Sequence, residues 1–388
     1  EVKQTSSTDG LIRATTLALD GDLSQQFSGS GPGILEWTVA PYVVRSGEKA
    51  PLSTFAEDDD AQQTVVVAGH DLKFAGRIID ELKRAGHIVL IDEWISHSEH
   101  DEEQSRAMLE RADVIFCEWG LGNAVWYSKN KLPAQRLVVR VHSQELRRNY
   151  LRELTTVNVN EFVFVGELVR QAAINSHSVP SEKSRVIPNY VDNTGLAKTK
   201  EPGAEKNIGL VGIVPQSKRL DRALDVLEQL LERDADYKLF VKGKGPEDYP
   251  WLKNRPEELE YYDGVRDRVR QINEKFTNAV VFDGYSPDMT DWYAKIGIAI
   301  SVSDFESFHF TIPDGAASGA APYCLAWPGA DLLYPNNWLY DSTGDMAQAI
   351  ARHATEDVSA NRAYIDARYD GQESLRRLQE SIFGRTTS

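Results

Sequence analysis

Two α/β units in tandem, each a doubly wound parallel sheet, are the fold class that this sequence predicts. Three observations carry the expectation. Short apolar, β-branched runs recur between amphipathic stretches, as buried parallel strands between helices require. The alternation pauses at residues 193–206, rich in Asn, Thr, Gly, Lys, Pro and Glu, and then starts again. The chain has 388 residues, 41% apolar and 26% charged, with 8 Trp, 15 Tyr and 13 Phe, which is enough to fill two or three cores.

The elements follow in order. Thr64–Gly69 is a short apolar run ending in Gly and reads as a strand. Phe74 to Ala85 has helical spacing, with Gly86 as its stop, and His87–Asp92 is the next strand. Residues 100–111 read as a helix, and Asp113–Cys117, Leu137–His142, Phe162–Val165 and Arg185–Pro188 as strands. After the linker, Asn207 to Val214 is a strand running into a turn, and Arg219 to Arg233 is a strongly amphipathic helix. Tyr237–Val241, Ala279–Phe282, Ile296–Val302 and Tyr323–Leu325 are strands; Pro313–Gly319 opens a helix, and Asp345 to Phe383 is helical with breaks. Strands separated by helices argue for parallel sheets, which bind ligands outside the carboxyl ends of their strands. The expected divisions are an appendage or linker over 1–60, a first Rossmann-like domain over 61–195, a second over 196–365, and a C-terminal helix over 366–388 that packs back on the first domain. The appendage holds one strand-like island, Ile34–Ala40.

Charge narrows the partners. The net charge of −16 disfavours nucleic acid, whose phosphates need basic surface. Residues 1–60 carry 4 basic and 10 acidic side chains, whereas residues 61–200 carry 18 of each. Within that relatively electropositive segment, Arg136, Arg140, Arg147, Arg148 and Arg152 suit either a solvated helix face or a surface for an acidic acceptor or an anionic headgroup. No run of about 18 apolar residues occurs, so no spanning helix is expected. The start, Glu1-Val2-Lys3, lacks Met and an apolar stretch, so we expect a trimmed segment and no secretory signal. Cys117 and Cys324 are too few for a disulfide framework and have no metal spacing, which fits a reducing, cytoplasmic setting.

Three segments carry chemistry. In Ser303–Gly319 an acidic residue, Glu306, stands in a loop after a strand, and Asp314 follows eight positions later in a helix start. Loop amides and a helix N-terminus can hold a diphosphate, and paired carboxylates can accept hydrogen bonds from vicinal hydroxyls. A capped helix with a solvated Asp uses the same residues. In Gly209–Leu220 a strand enters a turn at Gly212, and Lys218 precedes a helix, where a cation can neutralise a leaving phosphate or simply face solvent. Val186–Asp192 (Val-Ile-Pro-Asn-Tyr-Val-Asp) is by itself a turn signal.

In this order and spacing the three segments resemble the retaining GT-B glycosyltransferases of the family-4, or group 1, type. The resemblance covers roughly residues 64–385. It implies two Rossmann-like domains facing a cleft, with the nucleotide-sugar held mainly by the second. It implies that Glu306 contacts donor-sugar hydroxyls, Asp314 the ribose, and Lys218 the diphosphate. Amides near Ser307, Phe308 and His309 would hold phosphates and sugar, and His142 would meet the donor sugar. Gly212, Lys242 and Gly243 lie in turns whose position suits donor contact. His70, Asp71 and Lys73, after the first strand, and Glu118 and Trp119, after the third, are acceptor-side candidates. Asp71 also suits a helix cap, Trp119 a core position, and His142 a satisfied strand end.

Two departures stand out. Ile213 occupies the place where many members carry an Arg, and the loop Gly69-His70-Asp71-Leu72-Lys73 has one Gly where members carry paired glycines. The expected function is hexosyl transfer with retention from a nucleotide-diphosphate sugar to a glycan or lipid-linked hydroxyl, in glycan or cell-surface polysaccharide synthesis. No metal and no cofactor are expected, and no nucleic acid partner. The expected location is the cytoplasm, extending to peripheral contact with the inner face of a membrane. The alternatives are a catalytically degenerate sugar-nucleotide-binding subunit, or another GT-B enzyme such as a phosphorylase or epimerase.

Overall fold

The computed structural model describes residues 61–286, 288–352 and 358–385. The Ile34–Ala40 island and the 1–60 appendage lie outside them. The described residues divide into two compact units: 61–188 with 374–385, and 189–373.

The first unit is a six-stranded parallel sheet. Its strands are β1 (Thr64–Gly69), β2 (Ile88–Glu93), β3 (Val114–Glu118), β4 (Arg136–Val141), β5 (Glu161–Phe164) and β6 (Ser184–Val186). The spatial order is β2-β1-β3-β4-β5-β6, with Val66 opposite both Leu90 and Ile115. The interleaved helices are α1 (Gly76–Arg84), α2 (Glu102–Leu109), α3 (Gly122–Asn130), α4 (Tyr150–Glu153) and α5 (Glu167–His177). Val66, Ile115, Leu137, Val139, Phe162 and Phe164 are sealed from solvent and form the core with Tyr127 and Leu151. Burial on both faces explains why these strands read as continuous apolar runs.

The second unit repeats the plan with β7 (Asn207–Val211), β8 (Lys238–Lys242), β9 (Val280–Phe282), β10 (Ile298–Ser301), β11 (Ala321–Leu325) and β12 (Leu339–Tyr340), in the order β12-β11-β10-β7-β8-β9. Helices α6 (Leu220–Leu231), α7 (Pro256–Lys275) and α10 (Thr343–Arg352) cover one face through Leu224, Leu227, Val265 and Ile350. Helices α8 (Thr290–Ala294), α9 (Thr311–Ala317) and α11 (Val358–Arg368) cover the other through Trp292, Ile312, Ala316 and Ile365.

Three expectations change. The 193–206 stretch is a packed strap rather than a free linker. Leu196 is buried, and Lys200 Nζ donates to the carbonyls of Tyr293 and Ile296 at 2.9 and 2.6 Å and to Ser318 Oγ at 3.0 Å. The change of unit therefore falls after Pro188, ahead of the strap, rather than after residue 195. The last helix, α12 (Gly371–Phe383), joins the first unit only from Ser374. There Arg377 donates to the Val186 carbonyl at 2.7 Å, and the Arg136 guanidinium donates to the Ser381 carbonyl at 2.9 and 3.0 Å.

No described helix is long and apolar enough to cross a membrane.

Candidate functional site

Strand order places the chemistry. In each sheet the order reverses at one point: between β1 and β3 in the first unit, and between β7 and β10 in the second. Such a switch point opens a crevice beyond the carboxyl ends of its two strands.

In the second unit, the turn after β7 and the loop after β10 bring Lys218 and Glu306 together. Lys218 Nζ lies 2.5 Å from Glu306 Oε1, which also accepts from Ser303 Oγ at 2.7 Å. Burial pushes the Glu306 carboxyl up, but His309, Lys218 and Ser303 outweigh it and hold it ionised, below the ordinary carboxylate range. His309 has a left-handed backbone, φ 51°, and turns its ring inward. Its Nδ1 meets Ser301 Oγ at 2.6 Å and its Nε2 meets Thr311 Oγ1 at 3.1 Å. Burial first, and Lys218 as well, hold that imidazole down at about 4, so it is neutral at pH 7.

Gly212 (φ 79°) and Gly243 (φ 130°) stack at the ends of β7 and β8, conformations that favour glycine. The nearest neighbour to a Cβ at Gly212 would be Lys218 Cε at 4.0 Å, so the turn leaves backbone open to a ligand beside the lysine. Lys242, opposite Val211 in the ladder, is 7% exposed, and its carbonyl accepts from Gly212 N–H at 2.8 Å. Asp314 sits in α9, and burial, with Asp192 second, pushes its carboxyl up to about 8. Asp192 is the last residue of the Val186–Asp192 segment, so the fold ties that segment electrostatically to Asp314. Ser307 is half-buried, whereas the Phe308 side chain is in the core against Phe310 and Tyr369. The Phe308 carbonyl is taken by Tyr334 Oη. Of Phe308, only the main-chain N–H is thus placed to meet a ligand. Arg219 is no substitute for the cation missing at Ile213, which is buried; its guanidinium is held by Asp221 at 2.7 Å and Asp304 at 3.0 Å.

In the first unit, the switch point gathers the acceptor-side candidates. His142 Nε2 lies 2.7 Å from Glu118 Oε1, and Arg140 NH1 lies 3.2 Å from Glu118 Oε2. Glu145 Oε1 accepts from the main-chain N–H of His142 at 3.0 Å and of Gly120 at 2.9 Å. Trp119 has φ 72°, and its indole N–H donates to the Asp71 carbonyl at 2.7 Å. Its ring packs at 4.0 Å from that of His142 and is 7% exposed, so it is a wall of the site rather than an open stacking platform. Asp71 pairs with Lys73 at 2.8 Å, and Lys73 lies over the rings of Phe74 and Trp119. His70 meets His97 edge-on at 4.4 Å; burial lowers the pKa of both imidazoles, and their neighbours add to it, His97 for His70 and Arg148 for His97.

Sequence reasoning missed Phe74, His97 and Glu145, and it placed Arg140 on a basic surface, whereas the structure buries that side chain against Glu118. Arg140 and Glu145 flank His142 and were legible as neighbours; His97 reads as part of a polar loop, and only the loop's return to α3 (Gly122 N–H to the His97 carbonyl, 2.9 Å) brings it in. Among the described residues no group of three or more His, Cys, Asp or Glu is arranged to hold a metal ion.

Comparison with known proteins gives a partial family match and a shared fold. Residues 205–356 match the model of the family described as glycosyl transferases group 1. No curated protein sequence matches the chain. Among solved structures, HepE from Anabaena in complex with UDP superposes with a TM-score of 0.62 at 13% identity, over 84% of this chain and 100% of that one. The UDP-forming α,α-trehalose-phosphate synthase from Burkholderia xenovorans gives 0.62 at 12%, again over 84% and 100%. A variant of TarM from S. aureus, in complex with fondaparinux, α-GlcNAc-glycerol and UDP, gives 0.53 at 16% over 69% of this chain; the chain spans 55% of TarM's length. At these identities the likeness is one of fold. Residues 205–356 thus resemble the glycosyl transferases group 1 family, and the two Rossmann-like units have the GT-B fold of these structures.

Proposed function

We propose that this protein is a retaining glycosyltransferase that moves a hexosyl group from a nucleotide-diphosphate sugar to a hydroxyl of a glycan or lipid-linked acceptor. The observation that carries the reading is the Lys218–Glu306 pair at the switch point of the second unit, 2.5 Å apart and beside the open Gly212 turn. In this reading a diphosphate takes Lys218, and Glu306, released from the lysine, accepts hydrogen bonds from donor-sugar hydroxyls. Asp314 binds the ribose, and the amides of Ser307, Phe308 and His309 hold phosphate oxygens. Gly212, Gly243 and Lys242 line the donor side. Lys218 and these amides stabilise the charge that develops on the leaving diphosphate.

The bond from the anomeric carbon to the phosphate oxygen breaks, and the acceptor oxygen bonds to the same face. The acceptor proton passes to the departing phosphate, giving a nucleoside diphosphate and the glycoside. No protein nucleophile, metal or cofactor is needed in this scheme. The first unit offers His70, Asp71, Lys73 and His142 to the acceptor and sugar. Glycan or cell-surface polysaccharide synthesis in the cytoplasm, with peripheral contact to the membrane's inner face through Arg147, Arg148 and Arg152, accommodates this chemistry. UDP is the first donor nucleotide to test, because HepE and TarM were solved with it.

The test is a thermal-shift screen with UDP, UDP-glucose and the GDP and ADP counterparts, followed by a transfer assay. A ligand at 100 times its dissociation constant stabilises by about 2.7 kcal/mol. The wild type is expected to gain that from one nucleotide series, and Lys218→Met to lose it. No stabilisation by any of them sinks the reading. A second reading, a degenerate binding subunit, is favoured by buried Ile213 in the place of the second cation. Binding without transfer or hydrolysis would select it.

A further inference from the structure

Glu118 lies too deep to meet an acceptor. It is sealed from solvent, and its two oxygens are directed to His142 and Arg140. An ionised carboxylate can only accept, so the proton between it and His142 belongs to the imidazole. Arg140 supplies the positive charge that keeps the buried carboxylate ionised, and Glu118 does lie below the ordinary range despite its burial. His142 is therefore the Nε2–H tautomer in its neutral form. The backbone is fixed as well, since Glu145 holds the His142 N–H, and the rings of Phe74 (5.2 Å) and Trp119 (4.0 Å) pack against the imidazole. One polar atom of the side chain remains. Nδ1 has no partner among the described residues, yet it is not one of the buried side-chain atoms cut off from solvent.

We propose that Glu118, braced by Arg140, is a positioning residue that sets the His142 tautomer and leaves Nδ1 as a hydrogen-bond acceptor for a substrate hydroxyl. The same arrangement, a carboxylate that fixes one imidazole nitrogen so the other can work, is how histidines are oriented in many sites. The inference rests on the glycosyl-transfer reading for the identity of the hydroxyl, not for the tautomer itself.

The experiment is nitrogen-15 NMR of the full chain labelled at histidine, with His142 assigned by His142→Asn. In the wild type, His142 is expected to show a proton on Nε2 that exchanges slowly with water, and an unprotonated Nδ1. Glu118→Gln, which keeps an acceptor oxygen, should retain that proton with a smaller downfield shift. Glu118→Leu should lose its protection. A wild-type His142 protonated on Nδ1, or an Nε2 proton equally protected in Glu118→Leu, overturns the proposal. The wild-type spectrum decides the point even where the leucine variant fails to fold. Hydrolysis of UDP-glucose is measured alongside: Glu118→Leu should lower kcat at least tenfold with KM within twofold, and Glu118→Gln should recover most of it. A kcat unchanged in Glu118→Leu also overturns the proposal. A wild type with the expected tautomer but no turnover of any nucleotide-sugar counts against the glycosyl-transfer reading alone.

Discussion

At the scale of single residues, the second unit stores opposite charges in a form that a ligand can rearrange. The Lys218–Glu306 pair is partly buried, 22% and 13% exposed, and each side chain loses its partner if the other is removed. Lys218→Met should lower turnover by roughly 100-fold or more, the scale of losing one transition-state charge contact. It should also raise the Glu306 pKa, read from the pH dependence of stability. Asp314 behaves oppositely. Its folded pKa, about 8, lies above the ordinary aspartate value of 3.8. Its contribution to stability is therefore full below about pH 4 and is lost as pH rises through about 8. Asp314→Asn removes that loss. The variant should match the wild type near pH 4 and exceed it at pH 9 by a few kcal/mol in urea unfolding. Equal pH profiles would refute the assignment. Glu306, Asp314 and Lys218 were legible as a group through the family resemblance, since Lys218 follows β7 and the two carboxylates follow β10. The Arg140–Glu118–His142 chain was not. Its members lie on two strands adjacent in space, and nothing in a linear reading states that β3 and β4 pair with Glu118 opposite Arg140.

At the scale of elements, tight packing converts small residues into site geometry. A Cβ on Gly315 would lie 2.3 Å from that of Ala299, so α9 sits on β10 through the glycine's bare face. The helix carries Asp314 and begins two residues after His309. Gly315→Val should push it outward, cost about 1–3 kcal/mol as overpacking does, and weaken nucleotide binding although residue 315 meets no ligand. Calorimetric titration with UDP measures the second effect; unchanged affinity in a folded variant would uncouple the helix from the site. Apart from the two-residue β12, the strands were legible as short continuous apolar runs, and amphipathic α6 by its clean helical period. Helices α3, α5 and α7 were not. In α3, Gly122, Asn123, Ala124, Val125, Tyr127 and Ser128 are all buried, so no polar stripe marks it as a helix. In α7 the opposite holds: only Tyr262, Val265, Val269 and Ile272 are buried, and charges such as Arg270 and Asp267, paired three residues apart, obscure the stripe.

At the scale of the whole molecule, the chain leaves its first unit at Pro188 and returns to it at Ser374, so that unit is completed by the end of the chain. The returning segment is structural. Leu375, Leu378 and Ile382 are 2%, 1% and 0% exposed, Phe383 packs its ring 4.5 Å from that of His87, and Arg136 and Arg377 hydrogen-bond across the join. Burying an aliphatic side chain contributes about 1.5–3 kcal/mol, so the three together supply roughly 5–9 kcal/mol, comparable to the entire stability of an ordinary domain. Deleting residues 374–388 should therefore unfold the first unit and spare the second, whose sheet and both cores lie within Asn189–Glu373. Hydrogen exchange on the truncated chain separates the outcomes: amides of β1, β3 and β4 should lose protection while those of β7, β8 and β10 keep it. UDP binding, which the proposed function assigns to the second unit, should survive the deletion, whereas transfer should not. Retained protection in β1, β3 and β4 would show that the first unit is complete without its returning helix.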